Sequence, residues 1–275
     1  MVGEEVSRIL SQHGHDVISA GRSNADIWFD AENCDFSGPL PTGLEVDAAV
    51  NTMAVFGGPG FSSIERSILI NTLGAIRAAR LAIDLGAQHI LQISTVSVLS
   101  QKNSERFGEY AISKLYADNL LQEFCAVRGA ALSVLRPTQL YCDSDYGRTR
   151  QPALYSFADQ AQNGETIVLS VDKSIRRNFL HVSDFGELIR IVLESRTEGT
   201  FVCSHPESPT FIDVARAALA AFEQPESIVC LPPTVEITEQ AIPAETELYE
   251  KLNFWPQIDI GEGFRRIRRH REDNA

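Results

Sequence analysis

The residues from Ile90 to Lys114 constrain the fold more than any other part of this chain. Ile90, Leu91, Ile93, Val96 and Val98 make a short apolar run that suits a strand buried in a parallel sheet. The run ends in a hydroxyl cluster, Ser94, Thr95 and Ser97, and a polar loop leads from it to Tyr110 and Lys114. Those two residues stand one helical turn apart at the start of a predicted helix, so both side chains lie on one face. A free phenol, with a pKa of about 10, is a poor base near neutrality. An adjacent ammonium favours the phenolate and brings that pKa toward the working range. A Ser or Thr hydroxyl at the strand end can hold a substrate oxygen in line with the phenol. Such a group of residues can pass a proton to or from an alcohol or carbonyl while a hydride moves on the other side.

The same strand–helix unit recurs along the first half. Val2 to Gln12 reads as a helix with Val6, Ile9 and Leu10 as its apolar stripe, closed by His13-Gly14. Asp16 to Ala20 reads as a strand followed by Gly21, Arg22 and Ser23. Asp47 to Met53 reads as another, followed by the Gly57-Gly58-Pro59-Gly60 loop. Ile64 to Leu85 is a helix carrying Asn71 and Gly74, and Gly86 ends it. Tyr110 to Arg128 is a helix stopped by Gly129, and Ala131 to Arg136 is a strand ended by Pro137. This alternation predicts an α/β chain with a doubly wound, mostly parallel sheet. Ligands in such folds sit at the C-terminal ends of the strands, where Asn51, Thr95 and Arg136 fall.

After Tyr141 the pattern changes to shorter elements. A helix is expected over Ala153 to Gln162, strands over Thr166 to Val171 and Thr200 to Cys203, and an extended stretch over Asn178 to Val182. Ser183-Asp184 is expected to cap a helix running to Glu194. A helix from Ile212, the strand SIVCL from Ser227 and a basic helix over Gly263 to His270 complete the chain. The expected division is a main domain over residues 1–151 and a smaller one over 152–275, with 178–203 returning to the main sheet.

A net charge of −13 argues against a general nucleic-acid binder, which needs a positive surface. Five scattered cysteines without a CxxC pair, no export signal and no bilayer-length apolar run point to a reduced, cytoplasmic chain. No HExxH, GxSxG or Cys/His cluster suggests a metal site or a hydrolase.

Taken together these motifs identify a family resemblance. The hydroxyl strand end at Ser94-Thr95, Tyr110 with Lys114, RPTQLY from Arg136, RRNFLHVSD from Arg176 and LNFWP from Leu252 follow one another in order. The chain resembles the extended short-chain dehydrogenase/reductases, the NAD-dependent epimerase/dehydratase group, over nearly its whole length. The resemblance implies a Rossmann-type NAD(P)-binding domain and a smaller C-terminal substrate-binding domain. It implies Thr95 as the catalytic hydroxyl, Tyr110 as acid/base, Lys114 as the residue that lowers the phenol pKa and binds the nicotinamide ribose, and Asn71 as active-site support. On the cofactor side it implies Gly3 as the last glycine of the phosphate turn and Asp35 near the adenine, with Asn51 at a strand end. Ser94, Gln139 and Arg177 fall on the substrate side, Arg177 suiting a diphosphate. At the end of the second strand Arg22 and Ser23 stand where NAD enzymes carry a carboxylate, so NADP is favoured over NAD. Family members often dimerise through the helices that here are Ile64–Leu85 and Tyr110–Arg128. Ala75, Ala78 and Ala79 suit either that contact or burial against the sheet, so a homodimer stays open.

Three departures qualify the resemblance. The opening strand and first two glycines of the family's GxxGxxG turn have no counterpart before Gly3. In the expected order 3-2-1-4-5-6 that strand is central. A sequence shortened at an internal Met codon or by choice of boundaries is favoured over a degenerate protein. Val96-Ser97 after Thr95 replaces the Asp-Glu pair of sugar-nucleotide dehydratases, which excludes dehydration. Gln139, Cys142 and Leu99 replace an asparagine, a glycine and a tyrosine of the sugar-nucleotide pattern. The expected activity is hydride transfer at an alcohol or carbonyl carbon of a small molecule, such as a nucleotide sugar carrying a diphosphate. The alternatives are an NADPH-dependent ketone reductase and a non-catalytic nucleotide-binding scaffold; no nucleic-acid or membrane partner is expected.

Overall fold

A computed structural model describes residues 1–33, 43–58, 60–100, 107–170, 172–233 and 246–274. In chain order, the first half holds α1 (Val2–Gln12), β1 (Ala20–Gly21), β2 (Ile27–Trp28), β3 (Ala48–Asn51), α2 (Phe61–Ser67), a π-helical stretch (Ile68–Gly74), α3 (Ala75–Asp84), β4 (His89–Ile93), a 3-10 turn (Val96–Leu99) and α4 (Glu109–Arg128). Then come β5 (Ala131–Pro137), β6 (Gln139–Tyr141), α5 (Pro152–Gln162), β7 (Ile167–Leu169), β8 (Phe179–His181), α6 (Val182–Glu194), β9 (Gly199–Cys203), α7 (Phe211–Ala221), β10 (Ile228–Cys230), α8 (Glu247–Leu252) and α9 (Ile260–Asp273). The chain divides into two compact units.

The sheet unit comprises Val6–Arg136 and Ile189–Val202. Its sheet runs in the order β3-β4-β5-β9, with β3–β4 and β4–β5 parallel. Every residue of β4 is buried, as a central parallel strand requires. The core between sheet and helices is built from Ala75, Ala79, Ala82, Ile90, Ala117, Leu121 and Cys125. Small side chains on α3 and α4 let the two helices pack closely on β4. Ala75 and Ala79 are therefore committed to burial, while Ala78 is half-buried.

Several expectations are corrected here. The strand expected over Asp16–Ala20 is reduced to Ala20–Gly21, which pairs in parallel with Ile27–Trp28 in a sheet of its own. Upstream of it the backbone N–H and the hydroxyl of Ser19 both donate to the Asp26 carboxylate, at 2.8 and 2.7 Å. An apolar alternation proposes a strand, but only a partner ladder makes one. The expected order 3-2-1-4-5-6 is thus realised only in β3-β4-β5-β9 among the described residues. The apolar run from Ile90 stops pairing at Ile93, and Val96–Leu99 coils into a turn. The helix expected over Ile64–Leu85 holds an inserted π-helical stretch, Ile68–Gly74, that contains Asn71. A Cβ on Gly74 would lie 2.8 Å from that of Ala31, so this position is one of close approach.

The second unit comprises Met1–Glu5, Pro137–Leu188 and Cys203–Ala275. Two parallel strand pairs, β6 with β8 and β7 with β10, accompany α5, α7 and α9. Leu154, Phe157, Ala158, Val214, Ala215, Phe264 and Ile267 form the core among these helices. Thr210 and Asp213 close a capping box at the start of α7. α6 opens at Val182, and Ser183-Asp184 do not cap it. Asp184 instead accepts from the Gln257 and Ile258 backbone N–H groups at 3.0 and 2.8 Å, and the Ser183 hydroxyl donates to Glu5. His181 takes the cap position, its Nδ1 receiving the Ser183 N–H at 3.2 Å. The basic helix spans Ile260–Asp273, and its arginines pair with Glu262, Glu272, Glu223, Asp145 and Asp159. No helix among the described residues is long and apolar enough to cross a membrane.

Candidate active site

The site lies in the sheet unit, where α4 runs past the C-terminal ends of β3, β4 and β5. Glu109–Arg128 is a long helix closed by Gly129 in the left-handed conformation, φ 68°. Tyr110, Lys114 and Asp118 follow one another at one-turn intervals, and so stand in a row on one face. The Lys114 ammonium is 1% exposed. It donates to the backbone carbonyls of Met53 at 2.8 Å and Ile93 at 2.9 Å, so two of its three N–H groups tie together the ends of β3 and β4. Burial lowers its pKa to about 8, against the pull of the Asp118 carboxylate.

Asp118, equally buried, receives the Ser94 hydroxyl at 2.8 Å and the Arg136 guanidinium at 3.0 and 3.2 Å, all at Oδ2. Burial raises its carboxyl above the ordinary value, while Ser94, Arg136 and Lys114 oppose that shift. Thr95, next in the chain after Ser94, caps the 3-10 turn, its hydroxyl accepting the Ser97 N–H at 3.2 Å.

The other wall is the segment after β3. Asn71 is 1% exposed and clamps Val55 in both directions, accepting its N–H and donating to its carbonyl, each at 2.8 Å. Its amide also donates to the Ser113 hydroxyl at 3.0 Å, and that hydroxyl donates to the Tyr110 carbonyl at 2.9 Å. The next residue after Val55, Phe56, stacks on the Tyr110 ring with centroids 4.4 Å apart. A Cβ on Gly57 would run into the Glu109 side chain. The π-helical insertion thus presents a side chain that fixes the loop against the tyrosine.

Of the residues expected in the site, Asn71, Ser94, Tyr110 and Lys114 are linked here through shared partners, and Thr95 follows Ser94 in the chain. Asn51 ends β3 and donates to the Gln92 side chain at 2.7 Å while accepting the Met53 N–H at 3.0 Å. Arg22 and Ser23 are exposed. The Arg22 guanidinium lies 3.8 Å from Glu32, which Arg66 also approaches at 3.4 Å. Gly3 occupies the first turn of α1, and Asp35 lies outside the described residues. Gln139 and Arg177 belong to the second unit. Gln139 donates its backbone N–H to Asn178, and its buried Oε1 has no partner among the described residues. Arg177 is buried with its guanidinium 5.6 Å from the Phe211 ring centre, whereas Arg176 is exposed.

Sequence reasoning missed Asp118, Gln92 and Ser113. Asp118 carried a usable signal, its spacing one turn beyond Lys114. Gln92 carried another, as a polar residue inside an apolar strand run.

Comparison with known proteins bears on the family and the fold. A profile of the NAD dependent epimerase/dehydratase family matches residues 1–203. The chain belongs to that family. Among curated relatives, the dTDP-4-dehydro-6-deoxy-D-allose reductase of Streptomyces bikiniensis is 26% identical over 149 residues, which are 54% of this chain and 46% of that protein. The chain thus aligns with about half the length of that curated relative. Among solved structures, the UDP-N-acetylglucosamine 4-epimerase of Bacillus cereus superposes with a TM-score of 0.80 at 19% identity, covering 99% of this chain and 96% of that one. The UDP-glucose 4-epimerase of Thermotoga maritima, solved with UDP-glucose, gives 0.78 at 16% identity, covering 100% and 97%. RMD from Pseudomonas aeruginosa, solved with NADPH, gives 0.76 at 20%, covering 100% and 96%. These likenesses establish the Rossmann-type α/β fold expected for an epimerase-family chain.

Proposed function

We propose that this epimerase-family chain is an NAD(P)-dependent oxidoreductase or epimerase acting at an alcohol or carbonyl carbon, with a nucleotide sugar or related small molecule as substrate. The observation that carries the reading is Lys114, an ammonium buried at the ends of two parallel strands one turn from Tyr110. The donor set fits a nicotinamide dinucleotide: a hydroxyl, a phenol and an ammonium that, among the described residues, has one N–H left for a ribose hydroxyl. When bound, that cofactor would supply or accept the hydride. Tyr110 then gives or takes the proton at the substrate oxygen, and Thr95 holds that oxygen with its hydroxyl. Lys114 keeps the phenol acidic and Asn71 keeps the ring's neighbours in place. Gly3, Arg22, Ser23, Asp35 and Asn51 are assigned to the cofactor. Ser94, Gln139 and Arg177 are assigned to the substrate, the second unit serving as its binding domain.

NADP is favoured by Arg22 and Ser23, although Glu32 shares the Arg22 charge. The curated reductase relative supports a second reading, reduction of a sugar ketone without epimerisation. A homodimer is supported by an exposed apolar stripe, Ile112, Tyr116 and Leu120 on α4 with Ile64 and Ile68 from the neighbouring helix.

The test is titration of NADPH and NADH by calorimetry, followed by UDP-glucose, UDP-N-acetylglucosamine and a dTDP-4-keto sugar as substrates for the parent and Y110F proteins. Cofactor binding with turnover lost by 100-fold or so in Y110F is expected, the usual worth of an acid/base group being about 10²–10⁴. Failure of a folded protein to bind either cofactor would sink the enzyme reading in favour of a scaffold.

A further inference from the structure

Lys114 needs a reason to stay charged. Its hydrogen bonds supply one only in part: the carbonyls of Met53 and Ile93 favour the ammonium as dipoles but carry no charge, and the group is buried. From the π-helical stretch, Asn71 and Thr72 approach α4, and both are neutral too. On its own face of the helix the phenol of Tyr110 lies one turn back. One turn forward stands the carboxylate of Asp118, which is also the partner of the Arg136 guanidinium from β5. Asp118 uses one oxygen for three donors, two from Arg136 and one from Ser94. Its other oxygen, Oδ1, is buried without a hydrogen-bond partner among the described residues. A carboxylate oxygen so placed is not satisfied by contact. Its field acts instead on the cations around it, in surroundings that screen it weakly.

We infer that Asp118 is a positioning residue for the tyrosine–lysine pair: it supplies the counter-charge that keeps Lys114 an ammonium, and through Ser94 and Arg136 it locks the ends of β4 and β5 around that ammonium. Three groups share the charge, the buried Lys114 and half-buried Arg136 positive and the buried Asp118 negative. Removing the carboxylate leaves two cations without that counter-charge, and the lysine is the one that can discharge, since a guanidinium does not lose its proton. A neutral Lys114 no longer favours the Tyr110 phenolate. Ser94 gains a second meaning from the same bond. Its hydroxyl is turned toward Asp118, so it fixes the backbone that carries Thr95.

This inference rests on the proposed roles of Tyr110 and Lys114, but its test does not require turnover. The chain has four lysines, Lys102, Lys114, Lys173 and Lys251, so the side-chain ¹³Cε signals can be followed one by one against pH by NMR. The signal absent from K114M identifies Lys114. In the parent protein its midpoint is expected near pH 8. In D118N, which keeps the shape and loses the charge, its midpoint falls by about one pH unit or more, the usual effect of an opposite charge at close range. In D118E it returns toward the parent value. A folded D118N protein with an unchanged Lys114 midpoint overturns the inference.

Should D118N not fold, the reciprocal titration decides. In K114M the Asp118 carboxyl must titrate at higher pH than in the parent, and an unchanged carboxyl overturns the coupling equally. Coupled titrations in a protein that binds no cofactor would refute the proposed activity and leave this inference standing. An active enzyme with uncoupled titrations would do the reverse.

Discussion

Replacing Asn71 by alanine is the sharpest probe of how the loop after β3 is held. The side chain is buried and makes three hydrogen bonds, two to Val55 and one to Ser113. Truncation removes all three and leaves the Val55 N–H and C=O facing a cavity. Each net hydrogen bond in such a place contributes roughly 1 kcal/mol, and a partner left unsatisfied costs about 1–3 kcal/mol. Ser113 loses least, because its hydroxyl still donates to the Tyr110 carbonyl. The sum is a local destabilisation of about 2–4 kcal/mol, or roughly 30- to 1,000-fold in an opening equilibrium at 1.4 kcal/mol per decade. Amide hydrogen exchange reads it directly at Val55. Exchange there should accelerate by that factor in N71A, while amides in β5 and α7 change little. The stacked Phe56–Tyr110 pair should loosen with it, visible as averaged ring signals. Unchanged Val55 exchange in folded N71A would refute the view that this asparagine, delivered by the π-helical insertion, anchors the loop.

The remaining predictions concern pH and assembly. The Ser133 hydroxyl donates to the Thr197 carbonyl, so His89 must donate from Nε2 to Ser133, at 2.7 Å, which leaves Nδ1 as the bare nitrogen. Burial lowers the His89 pKa below its ordinary 6.5. The folded state then binds fewer protons than the unfolded state between the two values, so stability falls as pH drops below about 6.5 and levels off beneath the depressed pKa. Urea denaturation between pH 7.5 and 4.5 should show this loss in the parent and a flatter profile in H89Q; equal slopes would remove His89 as its source. For assembly, Y116E together with L120E should convert a dimer to a monomer in sedimentation analysis, with circular dichroism unchanged. A parent chain already monomeric at tens of micromolar would end the homodimer proposal.

Much of this protein could be read from the order of its residues alone. The helix Val2–Gln12 with its stripe of Val6, Ile9 and Leu10, the helix closed at Gly129 and the strand ending at Pro137 all rest on periodicity and on stop signals, which act between near neighbours. The spacing of Tyr110 and Lys114 fixed their common face for the same reason. What the tertiary structure decided is everything that depends on partners remote in the chain. Asp16–Ile18 had a strand's composition and has no ladder among the described residues, while the Ser19 carbonyl accepts the Ile27 N–H at 2.9 Å. Lys114 has a depressed pKa because elements remote in the chain bury it and strip its ammonium of solvent. Asn71 was expected from the family resemblance to support the active site, but its bonds to Val55 depend on a π-helical turn that the sequence does not announce. Asp118 and Gln92 took their meaning from Arg136, Ser94 and Asn51 across the strand ends. Burial, charge coupling and strand pairing are properties of contacts, and local sequence specifies a contact only when both members lie within a few turns of each other.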